Sequence, residues 1–238
     1  EPRSPVVEAY RAIRTSINYA SVDKPLRSIM VTSMDPGEGK TTTLGNLAVV
    51  FAQTGKKVLV VDCDLRKPRI HKIFGVSNSF GLSNILAQSN EIPLEQGLQN
   101  TKIENLKILT SGPLPPNPAE WLGSKKMKGI LGKMKDYADI VIIDTPPSLA
   151  VTDAAVLAPQ TDGVILIARA AQTRKDALKD TVDQMRSANA NIIGVVLNDL
   201  DVSRSAYAYR YGRKSKYSAY NEYYGAGEKK KKSFISFF

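Results

Sequence analysis

The sequence predicts an α/β domain, a mainly parallel, twisted sheet with helices on both faces. Two observations carry this. Short, continuously apolar runs recur along the chain, and stretches with helical spacing lie between them. Strands that are apolar on both sides must be buried on both sides, which requires helical cover above and below. A third observation places the ligand: acidic residues follow directly on the carboxyl ends of two of these runs, where sheets of this kind bind ligands.

Taken in order, Ser4-Pro5 is a helix start, and Tyr10, Ile13 and Ile17 form an apolar stripe that leaves Glu8, Arg11 and Arg14 free to pair. Ser28 to Thr32 reads as the first strand. After a Gly-rich turn, Leu44, Leu47, Ala48 and Phe51 recur at i, i+3, i+4 and i+7, one buried face of a helix ending near Gly55. Val58 to Val61 is a fully apolar run stopping at Asp62. Further strands are expected at Leu106–Leu109, Ile140–Ile143, Val164–Ile167 and Ile192–Leu197. Between the last two, Leu178, Val182 and Met185 mark a helix, with Thr173 as its N-cap and Asp176 three residues on. The expected organisation is an N-terminal helix over 1–22, a nucleotide-binding domain over 23–202 and a tail over 203–238.

The chain has 238 residues, 42% of them apolar, enough for one large domain. Cys63 is the only cysteine, so no internal disulfide forms, and no apolar run approaches 18 residues. The absence of such a run and of a secretory signal points to the cytoplasm; the start at Glu1 leaves open an upstream membrane segment. The net charge of +10 is uneven: residues 203–238 hold nine basic side chains against Glu222 and Glu228, a local +7. This segment also carries seven of the ten tyrosines (Tyr207, Tyr209, Tyr211, Tyr217, Tyr220, Tyr223 and Tyr224) and ends in Lys229–Lys232 and Phe234-Ile235-Ser236-Phe237-Phe238. Its composition predicts mobility and attraction to an anionic membrane surface. Nucleic acid is disfavoured, because the charge is confined to a tail without a recognition motif.

Three motifs carry chemistry. The first runs from Ser33 through Pro36-Gly37-Glu38-Gly39-Lys40-Thr41-Thr42. Its glycines let backbone N–H groups wrap phosphates, Lys40 reaches the β- and γ-phosphates, and the Thr41 hydroxyl can ligate Mg²⁺. It is a P-loop for ATP, with Met34 standing where the strict pattern has its first glycine. In the second, Val60-Val61-Asp62-Cys63-Asp64, alternate residues of an extended chain point the same way, so Asp62 and Asp64 face one site and Cys63 faces the core. Two carboxylates beside a triphosphate imply magnesium, and one of them can accept a proton from an attacking hydroxyl. In the third, Ile140-Val141-Ile142-Ile143 delivers Asp144, a Walker B arrangement that holds magnesium directly or through water. The single histidine, His71, lacks companion ligands and reads as structural.

These motifs, together with Ser111-Gly112-Pro113-Leu114-Pro115-Pro116-Asn117-Pro118-Ala119-Glu120-Trp121-Leu122 and the tyrosine-rich tail, resemble the bacterial tyrosine kinases of capsule and exopolysaccharide synthesis. The resemblance runs from about Val7 to the C-terminus. It implies a P-loop NTPase-like fold and a kinase that autophosphorylates its tail. Lys40 and Thr41 then match the Walker A contacts, Asp62 and Asp64 the Walker A′ pair, and Asp144 the Walker B carboxylate, with Asp62 activating the incoming tyrosine. Glu8, Arg11 and Arg14 are similar to the element that joins subunits of the family into a ring. The family further implies a membrane-bound activator or chain-length regulator and a cognate phosphatase, hence a location at the inner face of the membrane. Attack between subunits follows from the ring.

Alternatives stay open. A ParA or MinD type of ATPase carries an extra lysine early in its P-loop, where this chain has Asp35. GTPases are disfavoured because Asn198-Asp199-Leu200-Asp201 is not N-K-x-D; Asn198, at a strand end, is placed to face the adenine or to stabilise its own loop. A nucleotide-gated scaffold without kinase chemistry would need the same site.

Overall fold

The computed structural model describes residues 5–20, 25–88 and 92–200. Ser4, the seven tail tyrosines and the Lys-rich terminus lie outside the described residues. Helix α1 (Pro5–Tyr19) precedes β1 (Ser28–Ser33), α2 (Lys40–Ala52), β2 (Val58–Asp62), α3 (Ile70–Phe74) and α4 (Leu82–Ala87). There follow β3 (Leu98–Asn100), β4 (Leu106–Leu109), α5 (Pro118–Leu122), α6 (Lys125–Tyr137), β5 (Ile140–Asp144), α7 (Asp153–Leu157), β6 (Gly163–Arg169), α8 (Lys175–Ser187) and β7 (Ile192–Asn198). The strands form one seven-stranded sheet in the order β3-β4-β2-β5-β1-β6-β7. Every neighbouring pair is parallel except β3 with β4.

Successive side chains of the central strands enter opposite layers, as the period of two requires. Met30, Leu59, Val61, Val141, Ile143, Val164 and Leu166 pack under α4 to α8. Ile29, Val31, Val58, Val60, Ile140, Ile142, Ile165 and Ile167 pack under α1 to α3. The expected face of α2, Leu44, Leu47, Ala48 and Phe51, is wholly buried in the second layer. Helix α1 lies on α2 through Val7, Tyr10, Ile13 and Ile17.

The start of α8 differs from expectation. Thr173 does not cap it: its hydroxyl accepts from Arg169 N at 2.7 Å and donates to Glu38 Oε1, and the helix begins at Lys175 after Arg174. Arg169 N takes the acceptor site that a helix amide would use, and the hydroxyl's own hydrogen bond goes to Glu38, remote in sequence, which a local pattern could not reveal. Asp176 pairs with Arg174 and accepts from Ala177 N at 3.0 Å.

At the edge of the sheet away from the carboxyl ends, Asp162 joins three segments. Its Oδ2 accepts from Arg27 N (3.0 Å), Ser28 N (2.9 Å) and Ser28 Oγ (3.0 Å), and its Oδ1 accepts from Lys135 Nζ at 2.9 Å. Burial alone would raise its pKa, but Lys135 and the Ser28 and Arg27 donors pull it below the usual carboxylate range. A depressed pKa stabilises the fold above the unfolded value of about 3.9 and loses that contribution as pH falls through the native value. Asp162→Asn is therefore expected to cost about 1–3 kcal/mol at pH 7, with the difference from the parent closing in urea titrations repeated below pH 4.

Candidate active site

Two neighbouring strands bring the acidic residues together. In the β2–β5 register Asp62 is paired with Asp144, so both strands end on a carboxylate at the same level. Asp144 is 1% exposed, Asp62 0%, Asp64 7% and Lys40 7%. Lys40 Nζ donates to Asp144 Oδ1 at 2.8 Å and lies 3.8 Å from Asp64 Oδ2. Thr41 Oγ1 donates to Asp144 Oδ2 at 2.9 Å. Three buried carboxylates thus share one ammonium group, and if all were ionised the site would carry two uncompensated negative charges.

The cost of that imbalance appears in the titration of the acids. Asp62 is pushed up to about 8, first by burial and then by Asp144, against the opposing bond from Ile70 N. Asp144 is raised by burial, with Lys40 and Thr41 pulling the other way. Cys63 is fully buried, and its thiol is raised by burial and then by the same carboxylates, which fits the expected core role.

The Asp62-x-Asp64 pair diverges. The strand ends at Asp62, whose Oδ1 accepts from Asp64 N at 3.2 Å and whose Oδ2 accepts from Arg69 N (3.2 Å) and Ile70 N (3.0 Å) at the start of α3. Asp64 instead lines the open cavity, with Oδ1 holding Lys67 N at 2.9 Å. Asp62 therefore sits behind Asp64, under the amides of α3. The expectation that both carboxylates present themselves alike assumed extended backbone past the strand end, and that geometry stops at Asp62.

The P-loop is set by Gly37 and Gly39, with φ of 86° and 87°. A Cβ on Gly39 would stand 2.1 Å from Asn198 Nδ2, so only glycine fits. Asn198 lines the cavity and donates from Nδ2 to Glu38 O at 3.0 Å. The Glu38 side chain is 2% exposed and braces the loop, Oε2 accepting from Asp35 N at 3.0 Å and Oε1 from Thr173. Arg169, at the end of β6, reaches Gly37 O at 3.4 Å and Asp199 Oδ2 at 2.8 Å. Pro36, Gly37, Gly39, Lys40, Thr41 and Thr42 all line the cavity. Sequence reasoning missed Arg169, Thr173 and the pair Arg66–Asp153, where Nε and Nη2 each meet a carboxylate oxygen at 2.9 Å. Asp153 is 0% exposed and 87 residues away, so no local signal marked the pair.

The cavity encloses about 1630 Å³ and continues from the P-loop past Asp64 to Gly112, Pro113 and Leu114, the beginning of the Ser111–Leu122 segment. Asn78 clamps that segment, exchanging bonds with Gly112 N (3.0 Å) and Gly112 O (3.2 Å). The expected ring element divides: Glu8 and Arg11 pair with each other, while Arg14 turns inward to Val50 O at 2.6 Å.

A family model described as an AAA domain matches residues 26–193. The tyrosine-protein kinase YwqD of Bacillus subtilis is 44% identical over 218 residues, 91% of each chain. The chain belongs to the bacterial tyrosine kinases. A second member, the putative tyrosine-protein kinase CapB of Staphylococcus aureus, is 36% identical over 89% of this chain and 92% of its own. The solved kinase domain of Escherichia coli ETK superposes with a TM-score of 0.79 at 38% identity, over 87% of this chain and 80% of that one. Against the whole Escherichia coli protein named etk, this kinase chain spans 28% of the length. The septum-site protein MinD of Pyrococcus horikoshii, solved with Mg-ADP, is more distant, with a TM-score of 0.61 and 26% identity. The family is therefore that of a nucleotide-binding tyrosine kinase, and the partitioning-type ATPase is only a relative in fold.

Two outcomes test this geometry. Gly39→Ala is expected to weaken nucleotide binding at least about tenfold, since left-handed backbone costs about 1–2 kcal/mol per residue even before the clash; titration with a fluorescent ADP analogue measures it, and Gly39→Ala/Asn198→Ala should recover only part. For Asp62, a native pKa of about 8 against about 3.9 unfolded means that stability is fully present below pH 4 and is lost as pH rises towards 8. Unfolding of the ligand-free chain should show that decline, and Asp62→Asn should flatten it.

Proposed function

We propose that the chain is an ATP-dependent protein-tyrosine kinase that phosphorylates its own tail tyrosines, Tyr207, Tyr209, Tyr211, Tyr217, Tyr220, Tyr223 and Tyr224, in the control of capsular or exopolysaccharide synthesis and export. The observation that carries the chemistry is the buried deficit of two charges around Lys40, Asp62, Asp64 and Asp144. A divalent cation would match it, and the donors are hard oxygens suited to Mg²⁺. Thr41, Asp64 and Asp144 would hold that ion, with Asp62 behind them. Bound there, Mg²⁺ supplies charge neutralisation at the β- and γ-phosphates.

This chain's own groups do the rest. The amides of Pro36 to Thr42 orient the triphosphate, Lys40 exchanges its carboxylate partners for the β- and γ-oxygens, and Asn198 closes the nucleotide side of the cavity. A tyrosine with an unperturbed pKa of about 10 needs a base near neutrality. Asp62 is assigned that role from its place at the end of β2 beside Asp144, and using it requires the Arg69 and Ile70 amides to release Oδ2. A second reading is favoured by the open position of Asp64, which an incoming phenol reaches without that release.

The names of relatives support the cellular setting: CapB of Staphylococcus aureus, EpsB of Ralstonia solanacearum and a putative kinase in the cps region of Klebsiella pneumoniae. A ring joined through Glu8, Arg11 and Arg14, for which Arg14 would have to leave Val50 O and the Glu8–Arg11 pair would have to open, attack between neighbours, a membrane-bound activator or chain-length regulator and a cognate phosphatase complete the proposal. No described helix is long and apolar enough to cross a membrane. Contact with the inner face of the membrane is assigned to the +7 tail and to the activator.

Intact-mass analysis after incubation with MgATP tests the reading. Mass gains of whole phosphates mapping to Tyr207–Tyr224 are expected, slowed by about 10²–10³-fold in Lys40→Met. ATP turnover without added mass would replace the kinase with a MinD-like ATPase or a nucleotide-gated scaffold. Between the carboxylates, Asp62→Asn should abolish the rise of rate with pH if Asp62 is the base, whereas a rise that survives in Asp62→Asn would favour Asp64.

A further inference from the structure

Beyond the P-loop, the cavity wall carries three cations that no acidic side chain among the described residues balances. Lys67, Arg69 and Lys72 line it and are exposed, and among the described residues none of the three side chains has an acidic partner. Arg66 beside them is different, being neutralised by Asp153. The local potential is positive enough to act on His71, whose pKa is lowered by burial and then by Lys72. The nucleotide does not account for these cations, because its phosphates are already met by the P-loop amides and Lys40. Space is also left over: about 1630 Å³ exceeds the roughly 300–1,000 Å³ of a small-molecule site, and Pro113, Leu114, Pro147 and Val151 add apolar wall suited to an aromatic ring.

We infer that Lys67, Arg69 and Lys72 form a phosphotyrosine subsite for the C-terminal segment of the chain, so that one phosphotyrosine already made seats the segment for the next transfer. The inference rests on the tail being the acceptor. Charge supplies the logic. The bare segment carries +7 and is repelled by the cationic wall, whereas each phosphate adds about −1.5 to −2 and reverses the sign locally.

Spacing fits as well. Lys67 N lies 2.9 Å from Asp64 Oδ1, and Lys72 follows two residues after Ile70, whose N is 3.0 Å from Asp62 Oδ2. The cations are therefore rooted within about a side chain's length of the carboxylates. Tyr207, Tyr209 and Tyr211 are spaced by two residues, and Tyr217, Tyr220 and Tyr223 by three. In extended form those steps span roughly 7–10 Å. In each cycle a tyrosine oxygen bonds to the γ-phosphorus, the bond from that phosphorus to the β,γ-bridging oxygen breaks, ADP leaves and the phenol proton passes to the carboxylate. The seated phosphotyrosine is unchanged.

The test uses two synthetic peptides spanning residues 214–226, one unmodified and one phosphorylated at Tyr220, offered with MgATP to the full chain and to its Lys67→Gln/Lys72→Gln variant. With the parent, the phosphopeptide should show a KM about tenfold lower, the effect of roughly one charge-assisted bond. In the variant that ratio should fall towards one, and Arg69→Gln made separately should move it the same way. In parallel, intact masses of the parent should pass from no phosphate to several with little singly phosphorylated species, while the variant accumulates that species. Equal KM values for the two peptides in the parent, or an undiminished preference in the variant, would overturn the inference. Failure of the underlying kinase reading looks different, since then neither chain nor peptide gains phosphate.

Discussion

Three carboxylates buried around one lysine are the constraint from which the architecture of this kinase follows. Asp62 and Asp144 end adjacent strands, Asp64 follows just beyond, and among the described residues Lys40 is the cation that forms ion pairs with Asp64 and Asp144. Isolated ionised groups at such burial are strongly disfavoured, so the site holds a proton, or gains positive charge from outside. The raised pKa of Asp62 is the first response and a divalent cation with nucleotide is the second. A site built this way is unbalanced when empty and balanced when loaded, which couples ligand binding to the charge state of Asp62.

Holding that cluster requires rigidity from both sides. Below, β5 sits between β1 and β2, so the strand bearing Asp144 is fixed by ladders on each edge. Thr32 Oγ1 donates to Pro146 O at 3.0 Å, and Ser148 N donates to Ser33 O at 2.8 Å, tying the loop after Asp144 to the strand before the P-loop. Above, Glu38 anchors the P-loop through its buried carboxylate to Thr173, and Asn198 closes against Gly39. Elements distant in sequence thereby converge on one phosphate-binding turn, which keeps the amides oriented before the nucleotide arrives.

The remainder of the cavity has a different character. Its cations are exposed and, among the described residues, without acidic partners, and its apolar wall comes from proline-rich segments. An apolar wall beside a cationic one suits an aromatic acceptor that comes to carry phosphate, as a run of tyrosines would. The nucleotide half, by contrast, is shaped for a single ligand. The division of labour within one cavity matches a kinase whose donor is constant and whose acceptor changes after every turnover.

Much of this was written in the sequence because its signals are local. Continuous apolar runs marked six of the seven strands, and the P-loop, the Asp62-x-Asp64 pair and Asp144 announced themselves by residue type and by following those runs. The seventh strand, Leu98–Asn100, is short and antiparallel at the sheet edge, with no burial pattern to mark it. The sequence by itself determined the layer order of side chains, the nucleotide chemistry and the family. Tertiary structure alone decided which carboxylate faces the cavity, that Thr173 braces Glu38 instead of capping α8, that Arg14 turns inward to Val50, and that Arg66 is neutralised by Asp153 while Lys67, Arg69 and Lys72 are not. The physical reason is range: propensity and periodicity act over a few residues, whereas the pairing of buried charge is settled by groups brought together across 87 or 135 positions of chain.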